Sequence, residues 1–128
     1  MSDETESEES RTRAVVDQLY EAYLRGDREG MLSLFSDGVW VRFLGHKDLH
    51  GVEEARQFFK FSDSLLRDLD FRVRRKVIDG EWAAVLWDET ATTASGEPWV
   101  NHGVDVIRLQ GDRIALLHEN NDIRLVAR

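Results

Sequence analysis

Three aspartates and one histidine in the second half of the chain could carry out acid–base chemistry. They are Asp88, Asp105, His118 and Asp122. A free aspartic acid titrates near about 3.9, but burial or a second carboxylate nearby raises its pKa. Two carboxylates in one pocket can therefore divide the work, one as base and one as acid. We assign Asp122 as the base and Asp88 or Asp105 as the acid; His118, with an unperturbed pKa near about 6.5, is an alternative base.

These side chains can act together only if the strands that carry them bring them to one face. Strands are predicted over residues 81–93, 98–109 and 113–125, separated by turn signals at residues 95–96 and 111–112. If both turns have two residues, Asp105 lies opposite Leu86 and His118. Because side chains alternate with period two, one face then becomes strongly polar at one end. It carries Leu86, Asp88, Thr90, Asn101, Asp105, Ile107, Leu116, His118, Asn120 and Asp122.

The opposite face is apolar, and two interpretations follow from it. It carries Val85, Trp87, Val104, Val106 and Leu117. If this apolar face covers the helices, the polar face is only solvated. If the polar face covers them, it lines a pocket in which Asn101 and Asn120 can orient a water or a carbonyl group. In either case His118 could simply hydrogen-bond to Asp105, with no catalytic part.

The preceding elements must supply the wall of such a pocket. The first helix carries an apolar stripe and ends at Gly26, and Asp27 is a candidate N-cap for a short second helix that reaches Phe35. A strand follows at residues 39–44, then a third helix, and a strand at residues 71–78. Side chains expected to close the pocket are Tyr20, Tyr23, Phe58, Phe59 and Leu65. The third helix is expected to continue through Leu66.

Composition sets limits on partners and location. The 128 residues suit one domain, here residues 13–128, after an acidic, serine-rich segment at residues 1–12 that we expect to be disordered. A net charge of −8 disfavours nucleic acid and anionic membranes. The absence of cysteine excludes thiol nucleophiles, and neither a signal peptide nor a membrane span is visible. We expect a cytoplasmic protein. No metal-ligand spacing of histidines appears, so we expect no metal and no cofactor.

The order of elements and two short motifs resemble a known superfamily. The motifs are Leu49-His50-Gly51 before the third helix and Gly103-Val104-Asp105-Val106-Ile107-Arg108-Leu109 before a glycine turn. Over residues 14–125 the chain resembles the nuclear transport factor 2-like superfamily, with ketosteroid isomerases, SnoaL-like polyketide cyclases and limonene epoxide hydrolases as its nearest enzyme branches. The resemblance implies an α+β fold: a cone-shaped barrel with three N-terminal helices in the concave side of a curved, mainly antiparallel sheet. It also implies a pocket for a small apolar molecule.

The resemblance also implies roles for individual residues. Asp105 matches the protonated acid of the isomerases. Asp88 and Asp122 match the acid and the base of the epoxide hydrolases, and SnoaL-like cyclases also place a base near the end of the last strand. These matches favour the polar face as the pocket.

Some family positions are not matched. The isomerase base would fall near Arg42 or Phe43, and the isomerase tyrosine position holds Leu19. Leu86 stands where the hydrolases have an arginine, and Arg42 on another strand is the candidate to replace it.

Three hypotheses about function follow. The first is a cofactor-independent acid–base enzyme for a small apolar oxygenated molecule, acting as a cyclase, isomerase or epoxide hydrolase. The second is a non-catalytic binding dimer of the same fold, and the third a docking module that uses the acidic tail. Trp87, Val104 and Val106 are expected to bury against a second copy through the sheet. Expected substrate contacts are Trp40, Arg42, Asn101, Asn120, Tyr20, Phe58 and Trp99; the Trp99 ring, like that of Trp82, could instead lie in the dimer interface.

Overall fold

Helices and strands alternate at the start of the chain and give way to a four-stranded meander. The computed structural model describes residues 3–43 and 45–125. Its elements are α1 (Asp3–Arg25), α2 (Arg28–Leu32), β1 (Phe35–Phe43), β2 (Leu49–His50), α3 (Val52–Ser62), β3 (Leu66–Asp79), β4 (Trp82–Thr93), β5 (Pro98–Gln110) and β6 (Arg113–Leu125). The strands form one curved sheet in the order β2-β1-β6-β5-β4-β3, in which only the β1–β6 pair is parallel. The predicted α+β fold is confirmed.

Helix α1 begins much earlier than the sequence predicts. We expected disorder over residues 1–12, but the helix includes residues 3–12. The Thr12 hydroxyl is buried and donates to the carbonyl oxygen of Gly80 at 2.7 Å, in the turn between β3 and β4. This long-range contact ties the acidic end of α1 to the sheet, which a sequence-local argument about charge does not foresee. Residues 1 and 2 lie outside the described residues.

The shorter helices also differ from their predicted bounds. Asp27 caps α2 as expected, because its carboxylate accepts from the Gly30 N–H at 2.8 Å. Phe35 belongs to β1 and not to this helix. Helix α3 ends at Ser62, and Leu65 beyond it is exposed, so Leu65 does not help to close the pocket as predicted. Leu66 begins β3.

The main core lies between the helices and the concave side of the sheet. Its fully buried members come from α1, β1, α3 and the last three strands: Val16, Val39, Val41, Ala55, Val85, Ile107, Leu109 and Ile114. Burying each of these valine, leucine and isoleucine side chains stabilises the fold by roughly 1.5–3 kcal/mol relative to exposure. Among the described residues, no helix is both long and apolar enough to cross a membrane.

The register of the meander differs from the predicted one at two places. The loop between β4 and β5 has three residues, because the Thr93 N–H bonds to the Glu97 carbonyl oxygen. The turn between β5 and β6 has the expected two residues, but an irregularity between Arg108 and Leu109 adds one residue on β6. Each change shifts the pairing by one position. The predicted pairing of Asp105 with Leu86 and His118 is therefore wrong.

The shift exchanges the two faces of β4 and β6 but leaves β5 as predicted. Asp105 pairs with Val85 and Glu119, and Asn101 pairs with Glu89. On β4 and β6 the apolar face covers the helices, as in the first of the two interpretations of the sequence pattern. Trp87, expected on the outer face, is fully buried inside.

Candidate functional site

Three carboxyl groups on neighbouring strands face the helices from the concave side of the sheet. They are Glu89 on β4, Asp105 on β5 and Glu119 on β6, and we call them the carboxyl cluster. Asp105 and Glu119 are direct cross-strand partners, so their Cβ atoms are about 5 Å apart. Glu89 and Asp105 are buried, and Glu119 is half-buried.

Asp105 is held from the helical side by a tyrosine. The Tyr20 hydroxyl on α1 donates a short hydrogen bond to Asp105 Oδ2. Burial raises the pKa of Asp105 to about 6, against the lowering effect of the Tyr20 hydroxyl and of the nearby Trp87 N–H; the Glu89 charge raises it further. The other oxygen, Oδ1, is buried with no hydrogen-bond partner among the described residues. Asp105 therefore has one fixed oxygen and one free oxygen.

Glu119 is the more strongly perturbed acid. Burial raises its pKa to about 8, and the negative charges of Asp105 and Glu89 add to the effect. The Asn121 amide donates to Glu119 Oε2 at 3.0 Å and lowers the pKa somewhat. The pair therefore favours a state in which one carboxyl group holds a proton, and the pKa of Glu119 is the one raised more.

Glu89 receives two neutral donors. The Trp99 indole N–H and the Asn101 amide both donate to its Oε1, at 3.1 and 2.9 Å. Because the Asn101 amide N–H points at Glu89, Asn101 Oδ1 is buried without a hydrogen-bond partner among the described residues. Since Trp99 and Asn101 lie on β5 and Glu89 on β4, these bonds fix the carboxylate between the strands.

Aromatic rings form the wall beside the cluster. Phe71 on β3 stacks on Trp87 with ring centroids 5.2 Å apart, and Tyr23 meets Phe71 edge-on at 4.9 Å. Gly103 lies beside Trp87 in the sheet, and a Cβ atom there would come within 3.0 Å of the indole and 2.2 Å of the Asn120 carbonyl oxygen. Glycine at this position therefore lets the indole and the neighbouring strand approach closely.

The arrangement is suited to proton transfer on the helix-facing side of the sheet around the carboxyl cluster, which we call the hollow. Asp105 offers a free oxygen that can accept a proton, and Glu119 beside it holds a proton that it can donate. This division arises because two buried carboxyl groups at short range cannot both ionise easily. Within residues 3–43 and 45–125, no group of three or more His, Asp or Glu side chains could hold a metal ion.

Several predicted site residues lie on the convex face of the sheet. Asp88 forms an ion pair with Arg74 at 2.5 Å, and Asp122 lies 3.4 Å from His102. Asn120 is exposed on the same face. Because the register differs by one residue on β4 and β6, these three side chains do not meet Asp105 as predicted.

Trp40, Arg42 and His118 are also on the convex face. Arg42 forms two hydrogen bonds at 3.0 Å with Asp48, which also accepts from the Trp40 indole at 2.9 Å. The His118 ring packs edge-on against Trp40 at 4.4 Å, and burial together with the Arg42 charge lowers its pKa. The predicted hydrogen bond between His118 and Asp105 is absent, and Arg42 does not reach the hollow.

The remaining predicted contacts lie on the concave side. Tyr20, Asn101 and Trp99 contact the carboxyl cluster directly, as described. Phe58 on α3 stacks on Phe43 at 4.1 Å and lies further along the helical wall. Leu19, which stands at the expected isomerase tyrosine position, is buried in the core, and it is Tyr20 that contacts Asp105.

Sequence reasoning missed Glu89, Glu119 and Asn121. All three occupy the face of β4 or β6 that was assigned to the exterior. The apolar residues that share this face, such as Val85 and Leu117, were the available signal, since a face with buried valine and leucine is the one that packs.

The family follows from a comparison with sequence models. Residues 16–117 match the model of the SnoaL-like domain. The chain belongs to the SnoaL-like family. Solved structures named NTF2-like are among its structural matches, so the predicted NTF2-like fold is confirmed. A search of curated proteins finds no match.

Three solved structures illustrate how widely this SnoaL-like fold is shared. A candidate SnoaL-like polyketide cyclase from Jannaschia sp. CCS1 is 17% identical, with a TM-score of 0.82 over 90% of this chain and 88% of that one. A LEH-like epoxide hydrolase of M. tuberculosis is 13% identical, with a TM-score of 0.75 over 90% and 85%. TerC, co-crystallised with polyporic acid, is 14% identical, with a TM-score of 0.78 over 88% and 92%. At these identities the likeness shows the fold alone; TerC shows that this fold can hold a small molecule.

Proposed function

We propose that this SnoaL-like protein is an acid–base enzyme that needs no cofactor and acts on a small, mainly apolar, oxygenated molecule. The observation that carries the proposal is the pairing of Asp105 with Glu119 in one hollow, one as base and one as acid. The assignment replaces the Asp122 and Asp88 pair expected from the sequence. The family relationship supports the reaction class but not a particular substrate.

The geometry best suits proton transfer next to a carbonyl group. Asp105 Oδ1 removes a proton from the carbon beside the carbonyl, while Glu119 gives its proton to the carbonyl oxygen. The enol that forms is converted back when Asp105 returns its proton to carbon and Glu119 recovers the proton from oxygen. Tyr20 keeps Asp105 oriented throughout by donating to its Oδ2. Isomerisation and cyclisation both begin with this step.

Deuterium exchange tests this step without knowledge of the natural substrate. We would incubate the protein with 2-tetralone, an apolar ketone with acidic protons at C1, in D2O and follow the loss of the C1 signal by NMR. Asp105→Asn is expected to reduce the protein-catalysed exchange at least about 100-fold, the usual contribution of general acid–base catalysis. Asp88→Asn, on the same sheet but on the convex face, is the matched control. Equal exchange by Asp105→Asn and the unaltered protein would contradict the proposal.

A non-catalytic binding role is the second candidate. The observation that favours it is the fixing of Glu89 by Trp99 and Asn101, which gives the hollow a preformed polar end. Native mass spectrometry of the purified protein distinguishes the two roles. An intact co-purified molecule, together with no exchange above buffer, would support binding alone.

We further propose a homodimer formed through the convex face of the sheet, in the cytoplasm. Exposed apolar side chains on that face support the dimer, among them Val77, Trp82 and Leu86. Trp87 does not take part, because it is buried in the concave core. A groove of about 400 Å³ is lined by the paired charges of Asp70 with Arg72 and of Arg74 with Asp88, and also by Glu89 and Asn101.

A further inference from the structure

The carboxyl cluster differs from several acidic side chains at the surface because its members form no ion pairs with described residues. On the surface, Asp48, Asp63 and Asp88 each form an ion pair with an arginine. No described lysine, arginine or histidine forms an ion pair with Glu89, Asp105 or Glu119. Their hydrogen-bond donors are the neutral groups of Tyr20, Trp99, Asn101 and Asn121. The hollow therefore holds negative charge that the described part of the chain leaves uncompensated.

A second, independent observation concerns buried polar atoms without partners. Among the described residues, Asp105 Oδ1 and Asn101 Oδ1 are such atoms, in residues that are only 8% and 4% exposed, and Asn121 Oδ1 is a third. Leaving such an atom unsatisfied destabilises the fold. All three are acceptors. A molecule that completes this site must therefore bring mainly hydrogen-bond donors.

These two observations select one chemical class. A protonated amine supplies positive charge and up to three donors, and has no acceptor. The electron-rich faces of aromatic rings attract such a cation, and Tyr23, Phe71, Trp87 and Trp99 stand around the cluster. A neutral alcohol or ketone satisfies fewer of the acceptors and leaves the charge unbalanced. We propose that the substrate carries a basic amine, which binds in the hollow against Glu89.

The position of Glu89 separates amine binding from the reaction. Glu89 pairs with Asn101, four residues before Asp105 on β5, which corresponds to about 13 Å along the strand. The ammonium group thus lies at one end of the hollow and the reacting carbon at the other. The inference rests on the proposed function, since it names the substrate class of the same site. Binding and exchange can nevertheless be measured separately.

An isosteric pair of ligands tests the inference. Calorimetry would compare 2-aminotetralin with the neutral 2-tetralol, using the unaltered protein, Glu89→Gln, and Asp88→Asn as a matched control. We expect the amine to bind at least about tenfold more tightly than the alcohol to the unaltered protein and to Asp88→Asn. In Glu89→Gln this preference is expected to fall to about threefold or less.

The outcomes decide the inference without depending on any variant's folding. If the unaltered protein binds the alcohol as tightly as the amine, or shows no saturable binding of the amine, the inference is overturned. Persistence of the full preference in a folded Glu89→Gln also overturns it. If 2-tetralone exchange depends on Asp105 but the amine does not bind, the proposed enzyme stands and only the substrate class is lost. Amine binding without exchange leaves the amine-binding site at Glu89 standing and contradicts the enzyme.

Discussion

Asp105 and Glu119 are cross-strand partners whose carboxyl groups have unequal acidities in the same hollow. Burial raises the pKa of Asp105 to about 6 and that of Glu119 to about 8. The difference has a structural origin, because Tyr20 donates to Asp105 whereas Glu119 receives only the amide of Asn121. A tyrosine from the first helix therefore contributes to which carboxyl group acts as the base.

Replacing Tyr20 by phenylalanine is expected to weaken the base. The Tyr20 hydroxyl favours the ionised form of Asp105, so its loss should raise the pKa of Asp105 further above its ordinary value. The measurement is a ¹³C NMR titration with labelled aspartate. Tyr23→Phe is the control, because Tyr23 makes no hydrogen bond to Asp105 and should leave the titration unchanged. An unaltered midpoint in Tyr20→Phe would mean that the hydrogen bond has no influence.

Removing the charge of Glu119 is expected to stabilise the protein at alkaline pH. The folded state holds the Glu119 proton up to about pH 8, whereas an unfolded glutamate loses it near about 4.3. Folding stability therefore falls as pH rises between these values. Glu119→Gln should lack this decline, so its free energy of unfolding should exceed that of the unaltered protein by several kcal/mol at pH 8.5 but differ little at pH 4.

Urea unfolding at several pH values measures this effect. Asp88→Asn on the convex face should show no comparable growth of the difference with pH. A constant offset between Glu119→Gln and the unaltered protein at all pH values would indicate altered packing, not relief of a buried charge.

Gly103 is expected to tolerate no side chain. A Cβ atom at this position would lie 2.2 Å from the Asn120 carbonyl oxygen and 3.0 Å from the Trp87 ring, so the sheet must move. Gly103→Ala should destabilise the protein by about 2–3 kcal/mol, in the range of overpacked core substitutions. Gly38→Ala, where no atom lies within 4 Å of the added Cβ, is the matched control. Equal melting temperatures for the two variants would refute the close approach.

The proposed dimer can be tested with one charge on the convex face. Leu86 is 38% exposed there, and Leu86→Glu should shift the protein from dimer to monomer in light scattering after size-exclusion chromatography. Leu24→Glu, at a side chain 59% exposed on α1, should remain a dimer. A monomeric unaltered protein at micromolar concentration would remove the proposal.

The sequence predicted the bounds of the meander strands well, but not which face of β4 and of β6 points toward the helices. The predicted strands at residues 81–93, 98–109 and 113–125 nearly coincide with β4, β5 and β6. Side chains alternate between the two faces of a strand with a period of two, so one extra residue exchanges the faces. The third residue in the β4–β5 loop and the bulge on β6 leave no clear mark in composition. Asp105 on β5 was placed correctly because both errors lie on the strands beside it.

The start of α1 shows a different limit of sequence reasoning. Its first residues are too polar to predict a buried surface, yet Thr12 is anchored on Gly80. Tertiary contacts of this kind override the local preference of an acidic segment. Tyr20 could be placed on the inner stripe of the helix, but its partner could not be identified without the corrected register.

The contact of Thr12 with Gly80 makes the first helix a rigid connection between the β3–β4 turn and Asp105. Thr12 and Tyr20 are eight residues apart on α1, a separation of about 12 Å along a rigid axis. A shift or rotation of the helix at Gly80 therefore also moves the Tyr20 hydroxyl that orients Asp105. Truncation of the acidic N-terminal segment would therefore remove the Thr12 contact with Gly80. The loss would displace the Tyr20 hydroxyl from Asp105, although no residue of the carboxyl cluster had been changed.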